Sequence, residues 1–170
     1  MLSFLFRGLT TDRRSGHLLF DSATKIAREP HWYIEGKVPD TLDGRFAVLA
    51  TIVGLVMARL EREGDSGNMA AVALTERFIE VMESEHRELG FGDPTLGKTV
   101  RKLVGMLARR TKLWRDAGAH EMEWTAATRD SLYKDAIGAE ALRHSADALL
   151  RLNEKLDAAS LDQIEQGRIA

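Results

Sequence analysis

The chain has 170 residues and a mass of 19.0 kDa, which is the size of a single domain. It contains no cysteine, and this excludes disulfides, zinc ribbons, iron–sulfur clusters and thiol catalysis. The net charge of −2, from 24 basic and 26 acidic residues, neither favours nor excludes a nucleic-acid partner, and the 44% apolar content is typical of a globular protein.

The N-terminal segment is apolar but has no charged region before its apolar residues, so it is a poor signal peptide. We expect residues 1–15 to form an N-terminal arm that is mobile or touches a membrane, and residues 16–170 to form a helical domain. The longest apolar run is 46–58, which covers roughly 20 Å as a helix and is too short for a bilayer of about 30 Å. It is predicted to be a buried core helix.

Apolar residues recur at helical spacing along nearly the whole chain. The pattern predicts a first helix over about 16–29 that is ended by Pro30, and then a loop that opens with His31-Trp32-Tyr33. Asp40-Thr41 is a good N-cap site for a second helix, which is apolar on two sides and is therefore predicted to lie at the centre of the fold. The glycines at 64 and 67 are predicted to break this helix.

A third helix is predicted from about Asn68 to Leu89, and Asp93-Pro94 is a strong start for a fourth, which ends at Gly118. Later segments predict two more helices and a short helical turn: 121–135, 139–158 and 160–166. The sequence therefore predicts an all-α, single compact domain of about six helices, bundle-like in architecture.

The fourth helix is basic, with seven basic residues and no acidic residue between Lys98 and Arg115. Such a face could meet the phosphates of lipid headgroups or of ribosomal RNA. The favoured interpretation is a solvated face whose bases pair with acidic residues of a neighbouring helix, and the third helix offers Glu76, Glu80, Glu83 and Glu88 as candidates.

Signals for catalysis or a cofactor are weak. The chain has no phosphate-binding loop and no nucleophile elbow, so we expect neither an enzyme nor a bound cofactor. Glu83 and His86 match the Glu-x-x-His spacing of di-iron bundles once, whereas those bundles need two copies. A helical metal- or haem-handling protein that uses Glu83, His86 and His31 is one alternative function. An RNA- or ribosome-binding helical module is another.

Two arginines, Arg45 and Arg87, are open to two interpretations. A guanidinium fork could clamp a carboxylate of a bound partner, or it could lock two helices by pairing with Asp43, Glu88 or Asp93. The internal lock is the favoured interpretation.

Three segments together suggest a family: Pro30-His31-Trp32-Tyr33, then Val38–Phe46 (VPDTLDGRF), then Arg87–Asp93 (RELGFGD) with Gly97–Lys102 (GKTVRK). In the order and spacing of these segments the chain resembles the ubiquinol–cytochrome c chaperone family, the assembly factors of respiratory complex III. The resemblance implies an all-helical, non-enzymatic chaperone that binds newly made cytochrome b and promotes assembly of ubiquinol–cytochrome c reductase.

The resemblance also implies where the chain works and what it contacts. In lacking a transit peptide, the chain resembles a bacterial member of the family. Such a member is expected to work in the cytoplasm, peripheral to the inner membrane. Besides cytochrome b, we expect contact with a ribosome or an anionic membrane surface and with a small protein partner, but not with DNA. The predicted partner-binding residues are Trp32, Tyr33, Arg45, Phe46, Arg87, Glu88, Asp93, Lys98, Arg101 and Lys102.

Overall fold

The computed structural model describes the backbone of residues 3–88 and 96–169, and the side chains of residues 14–85 and 97–169. The helices in these ranges are α1 (Ser3–Ala27), α2 (His31–Ile34), α3 (Leu42–Leu60), α4 (Gly64–Glu88), α5 (Leu96–Gly118), α6 (Trp124–Leu132), α7 (Ala139–Ala158) and α8 (Leu161–Glu165). Six of them have nine residues or more, and the described ranges contain no strand. The predicted all-α fold is confirmed.

Helix α3 is the centre of the domain, as its two apolar sides predict. It contacts α1, α4, α5, α6 and α7, and its middle turns are almost completely buried. Its start is fixed by Thr41, whose hydroxyl accepts a hydrogen bond from the backbone N–H of Gly44 at 3.2 Å. Because neighbours cover α3 on all sides, the other helices are positioned around it.

Several helix limits differ from the prediction. Helix α1 begins at Ser3 rather than near Gly16, because residues 3–15 contain no proline to stop it. The break before α4 is confined to the 3₁₀ turn Glu61–Glu63 and to Gly64, which has a φ of +66°. Since a single left-handed residue reverses the chain there, α4 starts about four residues earlier than predicted.

The predicted loop at His31-Trp32-Tyr33 is in fact the one-turn helix α2. The Trp32 indole N–H donates to the carbonyl of Ile26 at 2.8 Å, and the Tyr33 hydroxyl donates to that of Ala27 at 2.7 Å. These bonds fold the turn back onto the end of α1. Tertiary contacts of this kind are not visible in local sequence periodicity.

The C-terminal helices agree more closely with the sequence. Helix α7 spans Ala139–Ala158, as predicted, and α8 starts with a complete capping box formed by Ser160 and Gln163. Helix α6 ends at Leu132 rather than at 135, because Tyr133 turns to extended backbone. Its hydroxyl donates to the carbonyl of Gly36 at 2.6 Å and lies 2.7 Å from the hydroxyl of Ser145. Among the described residues, no helix is long and apolar enough to cross a membrane.

Candidate functional site

A wide groove of about 960 Å³ opens between α1, α3, α4 and α5, with α2 at one edge. Its apolar walls are made by side chains of all five helices or their flanking residues: Phe20, Ala27, Pro30, Tyr33, Ile34, Leu42, Phe46, Ala47, Leu49, Val81, Met82, Leu103 and Met106. The other ten lining residues are polar or charged, and concave sites of this size that combine apolar walls with polar groups are the usual binding sites of proteins. The groove is therefore the candidate site.

The aromatic base of the groove holds three helices together. The ring of the buried Phe78 of α4 lies 6.4 Å from that of Phe20 of α1 and 5.8 Å from that of Phe46 of α3, measured between centroids. The first pair is edge-on and the second is tilted, and non-parallel contacts at these distances are favourable for aromatic pairs. The walls near Phe20 and Phe46 are therefore packed on a shared aromatic side chain of α4.

Two large apolar side chains stand exposed at the mouth of the groove. Ile34, at the end of α2, is 60% exposed, and Leu42, the first residue of α3, is 62% exposed. Among the described residues these are the most exposed large apolar side chains. Apolar side chains left in water at a concave, largely apolar site are typical of an interaction surface.

Two exposed ion pairs border the groove. Arg45 Nε donates to Asp40 Oδ1 at 2.6 Å, and Lys134 Nζ donates to Asp43 Oδ2 at 2.7 Å. The hydrogen bond from Arg45 holds the pKa of the Asp40 carboxyl below its usual value, and Lys134 does the same for the pKa of Asp43. Of the carboxylates suggested as lock partners, Asp43 pairs with Lys134, and the partner of Arg45 is Asp40, which was not among those suggested.

Of the four acidic residues that the sequence offers as partners for α5, Glu88 has its side chain outside the described residues, and the contacts described for the α5 bases go to other groups. Arg115 forms two hydrogen bonds of 2.9 Å with Glu61 in the 3₁₀ turn, and Lys112 pairs with Asp116 on its own helix. Arg109 and Arg110 donate to the carbonyls of Asp130 and Ser131 at the end of α6, where a helix leaves its acceptors unpaired. Among the contacts of the described side chains, no carboxylate lies within 4.0 Å of Lys98, Arg101 or Lys102.

The structure brings together four of the predicted partner-binding residues: Tyr33, Arg45, Phe46 and Lys102 all line the groove. Trp32 is only 1% exposed and anchors α2 from inside. Lys98 and Arg101 lie on the exposed face of α5, outside the groove lining. The side chains of Arg87 and Glu88, and the whole of Asp93, lie outside the described residues.

Sequence reasoning missed other groove residues, among them Arg28, Ile34, Leu42, Met106, Arg110 and Lys134. A signal for part of this set was present. Lys102, Met106 and Arg110 follow one another at intervals of four, which places them on one face of α5. Ile34 and Leu42 carried no such signal, since only the folded chain shows that they remain exposed.

Of the two histidines in the metal-binding hypothesis, the structure describes the side chain of His31. His31 lies against α7, with Nδ1 3.0 Å from Nε2 of His144 and Nε2 3.0 Å from a carboxylate oxygen of Glu29. The side chain of His86 is not among those described. Within the described ranges, no group of three or more His, Asp or Glu side chains could hold a metal ion.

In the part that the structure describes, the chain is thus an all-α domain with a wide groove whose walls are mostly apolar. The model of the ubiquinol–cytochrome C chaperone family matches residues 35–170, and the chain belongs to this family of assembly chaperones for ubiquinol–cytochrome c reductase, respiratory complex III. Its structure is similar to the crystal structure of the Cbp3 homolog from Brucella abortus, with a TM-score of 0.80 and 24% identity over 100% of this chain and 96% of that one. This second likeness establishes the fold. Among curated proteins, none matches the chain.

Proposed function

We propose that the chain binds newly made cytochrome b in the groove and holds it until it is assembled into complex III. Family membership supports the chaperone role, and the groove supports binding without chemistry. A factor that binds the immature form of a client more tightly than the assembled form stabilises the immature form by mass action and releases it on assembly.

The observation that carries the proposal is the exposure of Ile34 and Leu42 at the mouth of the groove. Covering a side chain of this size that is about 60% exposed is worth roughly 1–2 kcal/mol. An apolar segment of cytochrome b lying across the mouth would bury both residues and continue onto the apolar walls around Phe46. This would shield that segment from water and from other chains.

Ile34→Ser and Leu42→Ser, singly and together, test the client site. Tagged protein is recovered in mild detergent from cells that are making complex III, and the cytochrome b bound to it is quantified. We expect each single variant to retain several-fold less cytochrome b and the double variant to retain almost none. Val72→Ser on α4 is the matched control, because Val72 is 58% exposed and does not line the groove.

All four variants change exposed side chains and should melt close to the parent protein. Two results would contradict the proposal. One is the absence of cytochrome b from the wild-type complex in cells that make it, and the other is undiminished binding by the folded double variant.

We further propose that the chaperone works in the cytoplasm, peripheral to the inner membrane, with the exposed face of α5 directed at phosphate. The support is that Lys98 and Arg101 are exposed, with no carboxylate within 4.0 Å among the described contacts. Attraction of such a face to an anionic membrane or to a ribosome should weaken as salt increases.

The double variant Lys98→Gln/Arg101→Gln tests this second proposal. We expect it to lose co-sedimentation with vesicles that contain phosphatidylglycerol, or with ribosomes, at low salt. Arg151→Gln/Lys155→Gln on α7 removes the same charge from another exposed face and should have no effect. Equal loss in the two double variants would show that only net charge matters and would refute a specific face.

A further inference from the structure

Basic and apolar side chains alternate along the wall that α5 gives to the groove. Lys102, Met106 and Arg110 are spaced by four residues, and all three line the groove. The wall extends from Thr99 to Arg110, and this length of helix rises by roughly 17 Å. The groove is therefore long enough to hold about three turns of a bound helix, and it offers a cation near each end of its basic wall.

The charges that the described side chains bring to the groove do not balance. Arg45 and Lys134 are paired with Asp40 and Asp43, as described above. The other lining cations are Arg28, Lys102 and Arg110, for which the described side chains place no carboxylate within 4.0 Å, and Glu85 is the other acidic residue of the lining. Among the described side chains, the lining thus has five cations and three carboxylates, an excess of positive charge within apolar walls.

Arg110 is the most unusual of these cations because it is largely buried. Nη2 donates to the carbonyl of Ser131 at 2.9 Å, and Nη1 is 3.5 Å from the carbonyl of Met106, a long and weak contact. Nε has no hydrogen-bond partner among the described atoms. Burial, with a smaller contribution from Arg109, lowers the pKa of Arg110 to about 10, so the group is still charged at neutral pH.

A second polar atom of the groove lining is also without a partner. The buried hydroxyl oxygen of Thr24, on α1, forms no hydrogen bond with the described atoms. A buried cation with spare donors is costly unless an anion compensates it. Part of the groove lining therefore has polar groups that find no partner among the described residues.

On the basis of the proposed function, we infer that the groove selects client segments that are apolar and also carry carboxylates about two helical turns apart, which pair with Lys102 and Arg110. A peptide fits better than a lipid headgroup for two reasons. The two cations are separated by the apolar Met106, and most of the groove lining is apolar, which a bare headgroup would leave uncovered whereas apolar side chains of a peptide would cover it.

Two synthetic peptides test the inference on the full chain. Each is an amphipathic helix of about 14 residues; one carries two glutamates at the spacing of Lys102 and Arg110, and the other carries glutamine at both places. Fluorescence anisotropy should show that the glutamate peptide binds at least about tenfold more tightly. Lys102→Gln should remove most of that preference, whereas Arg101→Gln, a neighbouring exposed cation outside the groove, should retain it.

Arg110→Gln should also remove much of the preference, but this variant loses the bond to Ser131 and could fail to fold. Lys102→Glu avoids that difficulty because Lys102 is exposed. Lys102→Glu should shift the preference away from the glutamate peptide and towards a third peptide that carries lysine at the same two places. A residue with a merely structural role would not produce that reversal.

Equal affinity of the wild-type protein for the glutamate and glutamine peptides would overturn the inference. It would also be overturned if Lys102 governed binding to phosphatidylglycerol vesicles but not the choice between peptides. The capture of cytochrome b is measured separately. Capture without a peptide preference would refute only this inference, whereas a preference without capture would support it and refute the proposed client.

Discussion

The Nδ1 atom of His31 lies 3.0 Å from the Nε2 atom of His144, so the short helix α2 is hydrogen bonded to α7. The other ring nitrogen of His31 is 3.0 Å from the Glu29 carboxylate. Pro30, Tyr33 and Ile34 of the same segment line the groove. The histidine pair therefore fixes the edge of the groove from the side that faces away from the site.

The free energy of unfolding should decrease as the pH falls through the range in which histidine titrates. Burial lowers the pKa of His31, and His144 acts in the same direction, while Glu29 and Glu35 oppose the shift. The folded chain thus binds this proton less tightly than the unfolded chain, whose histidine pKa is about 6.5. The stability that neutral His31 contributes is therefore fully present above about pH 6.5, and it is lost as the pH falls through the lower pKa of His31 in the folded chain. Urea unfolding at about pH 7.5 and pH 5.5 measures the difference.

His31→Gln should flatten this pH dependence, because glutamine does not titrate. His17→Gln is the control, since His17 is exposed on α1 and makes no described contact with α7. If His31→Gln keeps the pH dependence of the parent, the assignment to the histidine pair is wrong.

Arg59 should be a stability determinant. It is 8% exposed; Nε donates to the carbonyl of Leu156 at 3.0 Å, Nη2 to that of Ala159 at 3.2 Å, and Nη1 to Glu63 at 2.6 Å. Arg59→Ala leaves carbonyls at the end of α7 unpaired, so we expect the free energy of unfolding to fall by about 2–4 kcal/mol. Denaturant unfolding followed by circular dichroism measures the loss.

Arg62 provides the comparison for Arg59. It is more than half exposed and pairs with Asp157 at the surface. Arg62→Ala should change the free energy of unfolding by less than about 1 kcal/mol. Equal losses at the two positions would show that the buried contacts of Arg59 with α7 are not the source of its effect.

The sequence predicted the helices well because their positions depend on local signals. The apolar sides of α3, the cap at Thr41 and the capping box of α8 are set by residues close together in the chain. Helix α2 was missed because its bonds to Ile26 and Ala27 depend on the chain folding back. Local periodicity contains no information about such a return.

The groove was only partly predictable for a related reason. Tyr33, Arg45, Phe46 and Lys102 were selected because they belong to motif segments or to the basic helix, and they do line the groove. The partner of Arg45 was not predictable: Asp40 and Asp43 are both close in sequence, and Lys134, 91 residues from Asp43, decides which carboxylate remains for Arg45. Long-range pairing of this kind needs the folded structure.

Replacing Arg45 and replacing Asp40 should change the binding of the glutamate peptide in opposite directions, and neither replacement should affect stability. Both side chains are well exposed, so Arg45→Ala and Asp40→Ala should each leave the melting temperature nearly unchanged. Arg45→Ala leaves an unpaired carboxylate at the groove and should weaken binding of the glutamate peptide. Asp40→Ala leaves an unpaired guanidinium and should strengthen it. Changes of the same sign in the two variants would argue against an electrostatic effect at the groove.

Two glycines in helices should respond oppositely to the same substitution. At Gly54, in the middle of α3, a Cβ would lie 2.9 Å from Cβ of Arg110 and 3.3 Å from the backbone of α5. Gly54→Ala should therefore force α3 and α5 apart and destabilise the protein by about 1–3 kcal/mol, more than the helix propensity of alanine recovers. Gly105, on the exposed side of α5, has nothing within 4 Å of a Cβ.

Gly105→Ala should stabilise the protein by about 0.5–1 kcal/mol, because alanine restricts the unfolded chain and favours the helix. Thermal and urea unfolding of the two variants gives the comparison directly. Gly54→Ala should also displace Arg110 and reduce the preference for the glutamate peptide, whereas Gly105→Ala should leave that preference intact. A stabilising Gly54→Ala would mean that the close packing of α3 on α5 does not position Arg110 at the groove.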